Sequence, residues 1–301
     1  MGEHKSRDIG PYKTLDLLGA SDRNVAYSAM HRETGDIVML RVLSITVSDV
    51  EHAVESCKTV LDQLSTLEIP CALPIHGYGS QNFMLYIATD LKRGGSLRQR
   101  IDARMPANNK QHRPTFTDIL MLTDRMATAL DSLHATGLAH GQLQPESILF
   151  DQQGKAFLAE IGLTRIWKVI YKLGATNSFR LSRYSAPELW SGERPTSETD
   201  QYALACIVYE LLTGRLPFKG NSINELMLSH QNDVAPPPNY IVKDLHQDLG
   251  MVFWQAFAKD KTRRFSTVRA FYQELHVLLQ EFPPNHSDFF TFHLDEVENT
   301  D

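Results

Sequence analysis

A chain of 301 residues, 42% hydrophobic and 22% charged, has the composition of a globular protein and the length of one large domain or two lobes. Its net charge of −6, from 30 basic and 36 acidic residues, argues against a nucleic-acid-binding surface as its main business. No run reaches the length of a membrane span and the first residues lack a secretory core, so a cytoplasmic protein without membrane insertion is expected. Cys57, Cys71 and Cys206 share no metal spacing and are expected to be free thiols. The start Met1-Gly2-Glu3-His4-Lys5-Ser6 fits the loose N-myristoylation pattern, although Glu3 suits it poorly.

Residues 1–10 read as an extension. From Tyr12 the chain alternates apolar and polar residues over Tyr12–Leu18 and Asn24–Met30 and, after the Thr34-Gly35 turn, over Asp36–Leu43. Three strands joined by tight turns make an antiparallel meander. Over residues 47–67, Val54, Cys57, Val60, Leu61, Leu64 and Leu67 recur at three- and four-residue steps, which predicts a helix ended by Pro70 and Pro74. Two more strands are predicted around Leu73–Tyr78 and Phe83–Ala88. Past a short hinge at about 90–95 the pattern turns helical. Ser96 can cap a short helix, and Thr117–Thr136 is long and amphipathic behind a start at Thr115–Asp118. Thr199–Thr213 is apolar nearly all round, which puts it inside a lobe. Helices also fit Ile223–His230, Leu245–Ala258 and Ser266–Glu281, and Pro236-Pro237-Pro238 reads as an extended connector. The class is α+β: an antiparallel β lobe over about 11–90 with one main helix, a mostly helical lobe over about 96–282, and an acidic tail at 283–301.

Gly137–Gly162 reads as a helix end, a polar loop and two strands about the turn at Gln152-Gln153-Gly154-Lys155. Its layout resembles the catalytic loop and metal-binding strand of a protein kinase, H-R-D-L-K-P-x-N followed by D-F-G. Further signatures fall in register. Leu130–Gly137 resembles the helix leading into that loop, and Tyr184-Ser185-Ala186-Pro187-Glu188 resembles the A-P-E segment. Asp200 with Tyr209–Phe218 matches the central helix, and Ala258–Phe265 the late arginine motif. From about Tyr12 to Glu281 the chain therefore resembles a Hanks-type protein kinase domain, most of all the bacterial serine/threonine kinases, and the bilobal kinase fold is expected. The resemblance implies structural roles for His140 in the core, for Asp200 on the loop amides, and for Glu188 paired with Arg264.

The positions that carry the chemistry depart from the family. The general-base aspartate is Gln142, the phosphate-steadying lysine Gln144 and the metal-binding asparagine Ser147. An amide cannot take a proton as a carboxylate does. Glu160 stands for the D-F-G aspartate; it is the only metal candidate, with its carboxylate one carbon further out. Arg41 replaces the strand lysine and forks differently from a point charge. Its helix partner falls at Val60; Glu55 is out of phase by more than a quarter turn, so nothing obvious holds Arg41, which is left as an anion contact or a salt link to some acidic group. In the glycine loop Gly19 is kept, but Ser21 and Asn24 replace the other two glycines and Asp22 adds a like charge, partly offset by Arg23. Val25, Thr89 and Leu149 remain as cleft residues beside Gly19 and Arg41, and Met39 replaces the small residue over the adenine pocket.

Gly141 in place of the H-R-D arginine leaves no receiver for a phosphorylated loop; Leu181 stands where a threonine is expected, with Thr176 and Ser178 nearby. Ile166, Trp167, Val169, Ile170, Tyr171 and Leu173 make the following segment unusually apolar, either folded into the empty cleft or a docking surface. His112, His230 and His286 show no ligand spacing and read as surface groups. The expectation is a pseudokinase: a regulator or scaffold binding another protein, not an enzyme, with no required cofactor. The alternatives are a switch that binds ATP with magnesium, or an atypical weak kinase using Glu160 and Arg41.

Overall fold

The computed structural model describes residues 6–21, 24–104, 114–171 and 181–280. The described residues of 1–92 and 160–178 form one compact unit, those of 93–159 and 179–301 another. The strands are β1 (Asp8–Ile9), β2 (Tyr12–Ser21), β3 (Asn24–His31), β4 (Ile37–Ser44), β5 (Ile75–Gln81), β6 (Met84–Asp90), β7 (Ile148–Phe150) and β8 (Ala156–Leu158). The helices are α1 (Val50–Ser65), α2 (Leu97–Arg104), α3 (Phe116–Ala135), α4 (Leu163–Ile170), α5 (Pro187–Trp190), α6 (Ser197–Thr213), α7 (Ile223–Asn232), α8 (Pro238–Ile241), α9 (Leu249–Ala256) and α10 (Val268–Gln280). None of the described helices is long and apolar enough to cross a membrane.

The sheet unit is an antiparallel sheet in the order β1-β2-β3-β4-β6-β5. Part of the expected N-terminal extension belongs to it: Asp8 and Ile9 pair with Lys13 and Tyr12, and Ile9 is buried. The two-residue period of β4 sorts its side chains between two cores. Val38, Leu40 and Val42 pack with Tyr12, Tyr27 and Tyr86. Leu43 joins Leu85 and Ile87 against α1 and α4. Helix α1 starts where Asp49 accepts a hydrogen bond from the His52 amide, and it buries Ala53, Cys57, Leu61 and Leu64 along one stripe. Residues 160–171, counted with the helical lobe in the sequence, group with this sheet.

The helical unit is built around α6, in which every residue from Thr199 to Thr213 is buried. Gly214, at φ 70°, ends it in the left-handed conformation that glycine adopts without cost. The capping box of Thr115 and Asp118 fixes the start of α3. The extended proline connector runs only to Pro237, because Pro238 opens a short helical turn, a position where its missing N–H costs nothing. His230 is not a surface group: it is fully buried, 2.9 Å from the Tyr202 hydroxyl through Nδ1 and stacked on Trp190. Burial, aided by the Lys259 charge, pushes its pKa down to about 3. His112 and His286 lie outside the described residues, as do Thr176, Ser178 and residues 1–5. Cys57 and Cys206 are buried free thiols and Cys71 is half-buried and free.

Candidate functional site

In the sheet unit the alternation of β4 places Met39, Arg41 and Leu43 on the face turned toward α1. Met39 is buried at 8% exposure. Arg41 has a definite partner, which the sequence reading did not find: its Nη2 lies 2.6 Å from Glu160 Oε1, and each side chain is 14% exposed. The expected helix position, Val60, is an apolar, partly buried contact with the core beneath α1. Arg41 therefore turns to the carboxylate at the D-F-G position. A charged pair this enclosed is costly to break on one side, about 3–5 kcal/mol when fully buried, because the remaining charge loses its counterion.

The backbone supports this pairing. Glu160 sits at φ 67° and Gly162 at φ 78°, so two left-handed residues bracket Ile161. The first is unusual for a side-chain-bearing residue and costs about 1–3 kcal/mol. At Gly162 a Cβ would lie 2.2 Å from Leu64 Cδ1, so a side chain there would displace Leu64 as well as strain the left-handed backbone. From Gly162 the chain enters α4, which buries Ile166, Trp167 and Ile170 against Leu43, Ile45, Cys57 and Leu61. The Thr46 amide donates to the Ile170 carbonyl at 3.3 Å and holds the far end of α4 to the strand side. The structure buries this apolar segment against α1 and the strand core rather than leaving it as a docking surface; Leu173 lies outside the described residues. A cavity of about 500 Å³ remains beside the ion pair, lined among others by Met39, Leu64, Ile75 and Thr89.

Gly19 lies on β2 opposite Ala26, and a Cβ there would meet nothing within 4 Å. Ser21 pairs with Asn24 at the end of the β2–β3 ladder; Asp22 and Arg23 lie outside the described residues. Val25 pairs with Val42 and packs on the core of that face.

In the helical unit the polar loop is held by Asp200. Its carboxylate accepts from the His140 and Gly141 amides, both at 2.7 Å, and meets His134 Nε2 at 2.9 Å. Burial works to lower the His134 pKa, but Asp131 and Asp200 outweigh it and push it up to about 9. His140 is 1% exposed; its Nδ1 accepts from the Gln142 amide at 3.3 Å and its Nε2 meets the Ala159 carbonyl at 2.9 Å. Gly141 adopts φ 75°, so the loop is shaped for glycine where the family carries arginine. Ser147 Oγ donates to the Gln144 carbonyl at 2.8 Å and accepts from the Gln144 amide at 3.1 Å. It closes its own turn, and the residue is fully buried. Leu149 is on β7, paired with Phe157 and bridged to Ser96.

Arg264 forks onto Glu188 with two 2.8 Å contacts and also donates to the Glu198 and Ala258 carbonyls. Burial would raise the Glu188 pKa, but Arg264 outweighs it and holds the carboxyl below its ordinary value. A second network carries no motif and escaped the sequence reading. The Tyr184 hydroxyl donates to Glu210 at 2.7 Å while Arg98 donates to that hydroxyl at 2.9 Å and to Glu210 at 3.3 Å. Among the described residues no group of three or more His, Cys, Asp or Glu side chains could hold a metal ion.

The chain is similar to serine/threonine-protein kinase PknD of Mycobacterium tuberculosis, 30% identical over 259 residues, 85% of this chain and 38% of that protein. It is 27% identical to PknE of Mycobacterium bovis over 271 residues, 88% of this chain and 46% of that protein. It thus spans less than half the length of these curated relatives. The crystal structure of the Mycobacterium tuberculosis PknI kinase domain shares the fold, with a TM-score of 0.69 at 24% identity, over 92% of this chain and 100% of that chain. Residues 12–275 match the protein kinase domain, and the chain belongs to that family.

Proposed function

We propose that this chain is a catalytically inactive member of the family, a pseudokinase that acts by binding another protein as a scaffold or regulator. The observation that carries this reading is the Arg41–Glu160 ion pair. Phosphoryl transfer relies on a strand cation free for phosphate oxygens and a carboxylate free for the divalent ion. Here the two groups at those positions neutralise each other. ATP with its metal ion does not fit the residues present. Ser147 Oγ is taken up by its own turn, Gln142 and Gln144 are uncharged, and Met39, in place of a small residue, narrows the cavity it lines beside the ion pair. The relatives are named as serine/threonine kinases, which supports the family and the direction of any lost chemistry; turnover depends on this chain's own side chains.

The test is labelled phosphate transfer from ATP to the chain itself and to a generic basic protein substrate, with magnesium or manganese. No transfer above background is expected. Transfer that disappears on Glu160→Ala would establish the other reading, an atypical kinase, which draws on one observation: Glu160 keeps a carboxylate, on a left-handed backbone two residues before Gly162. A nucleotide-binding switch without turnover would instead show as a thermal shift with ATP, since ligand at a hundred times its dissociation constant adds about 2.7 kcal/mol.

A further inference from the structure

The helical unit carries an apolar groove of about 970 Å³, bordered by α9, the segment after α7 and the chain leading into α10. Val252 and Phe257 line it as buried residues, while Val234, Met251 and Trp254 stand on it at 73%, 64% and 63% exposure. Three large apolar side chains this exposed in one groove are more than scattered surface residues. Tryptophan and methionine are also enriched where proteins meet, and methionine adapts its shape to what it covers. The Arg41–Glu160 site lies in the other unit and does not account for the groove.

The charged side chains around the groove are unevenly partnered. Asp233, Lys259, Asp260, Arg263 and Glu274 border it. Both cations are already engaged. Lys259 Nζ donates to the His230 carbonyl at 2.6 Å and lies 4.2 Å from the centre of the Phe218 ring. Arg263 meets Asp260 at 3.8 Å, and Asp260 also accepts from the Thr262 amide. Asp233 and Glu274 are exposed, and among the described residues neither forms a salt bridge or a side-chain hydrogen bond. Asp233 acts on Lys259 only through space. The Trp254 ring has no ring or cation contact among those residues either. Two unmatched carboxylates and a bare indole face all attract positive charge.

We propose that the groove docks a short segment of another protein in which large apolar side chains stand beside lysine or arginine. The apolar side chains cover Val234, Met251 and the aromatic lining. The cations reach Asp233 and Glu274 or lie on the Trp254 ring. An acidic or phosphorylated segment is disfavoured, because it would set like charges against Asp233, Asp260 and Glu274. This docking face serves the proposed scaffold role and rests on that reading for its purpose. No residue of the groove is one on which phosphate transfer would depend, so labelled transfer from ATP reads the loss of catalysis alone and binding to the groove reads the docking face alone.

The test uses the full chain as bait for a phage-displayed library of random peptides. Enriched peptides are expected to combine tryptophan, phenylalanine or leucine with lysine or arginine. Synthesised singly and titrated by fluorescence anisotropy, they are expected to bind about tenfold or more weakly to the variant Met251→Gln with Trp254→Ser. The variant Asp233→Asn with Glu274→Gln should bind several-fold more weakly and with a smaller dependence on salt. All these positions are exposed, and the second variant keeps the shape of each side chain, so it holds the test if the first fails to fold. Acidic consensus peptides, peptides that bind both variants as they bind the native chain, or no enrichment at all would each overturn the proposal. Hydroxyl-radical footprinting of the native chain alone checks the other occupants: Met251 and Trp254 are expected to oxidise as exposed side chains at every protein concentration. Protection that grows with concentration would overturn the proposal and assign the groove to a second copy. Protection at every concentration would overturn it and assign the groove to this chain itself.

Discussion

At the scale of single residues, the contact between Arg41 and Glu160 sets the chemistry available to the sheet unit. Either side chain alone would be a mostly desolvated charge, so the pair is mutually required. Arg41→Ala and Glu160→Ala are each expected to destabilise the protein by about 3 kcal/mol, measured by urea unfolding. The double variant is expected to cost clearly less than the sum, a coupling of about 1 kcal/mol or more. Additive losses would mean that the two side chains do not act together. The substitutions themselves were plain in the sequence: Gln142, Gln144, Ser147 and Gly141 can be read directly against the kinase pattern. The pairing was not, because motif logic looks for the partner of Arg41 on α1 and finds Val60. Only the 2.6 Å contact, between residues far apart in sequence, shows that the carboxylate turns to the strand.

At the scale of elements, α4 shows what local pattern can miss. Leu163–Ile170 has eight residues, a left-handed glycine at its start and several β-branched or aromatic side chains. Such a helix is marginal alone and forms because α1 and the sheet cover its apolar stripe. The apolar content was legible; the choice between filling the empty cleft and forming a docking face did not foresee that α1 and the sheet would cover it. Ile166 and Ile170 are fully buried, one helical turn apart. Truncating either to alanine is expected to lower stability by about 2–4 kcal/mol in the same unfolding measurement. A cost below about 0.5 kcal/mol, normal for a surface position, would mean that the helix does not pack as described. By contrast, α3 and α6 were readable because long periodic or all-apolar runs carry their own signal. The short turn of α8 hid behind Pro236-Pro237-Pro238, whose composition alone reads as extended.

At the scale of the whole molecule, two histidines of the helical unit, His134 half-buried and His230 buried, bound the pH range of greatest stability. His134 gains acidic partners on folding and its pKa rises to about 9. Its contribution is therefore complete below the unfolded value near 6.5 and is lost as pH climbs through about 9, up to about 3 kcal/mol. His230 is buried neutral, with its pKa lowered to about 3. The unfolded chain binds that proton and the folded one does not, so stability also falls as pH drops below about 6.5. Denaturant midpoints across this range are expected to peak near neutrality. His134→Gln should flatten the alkaline limb and leave the acid limb in place; an unchanged alkaline limb would remove His134 from the account. The strand-then-helix order was legible at this scale from periodicity. The grouping of residues 160–171 with the sheet was not, since it depends on contacts far apart in sequence.

The central claim is that this chain keeps the kinase frame while its phosphate and metal positions are taken up internally. Calorimetric titration of the purified full chain with manganese-ATP tests it most directly. The expected result is no saturable heat up to about 1 mM nucleotide, a dissociation constant at which binding would contribute only about 4 kcal/mol. Saturable micromolar binding that is lost in both Arg41→Ala and Glu160→Ala would contradict it, because those side chains would then serve the nucleotide rather than each other.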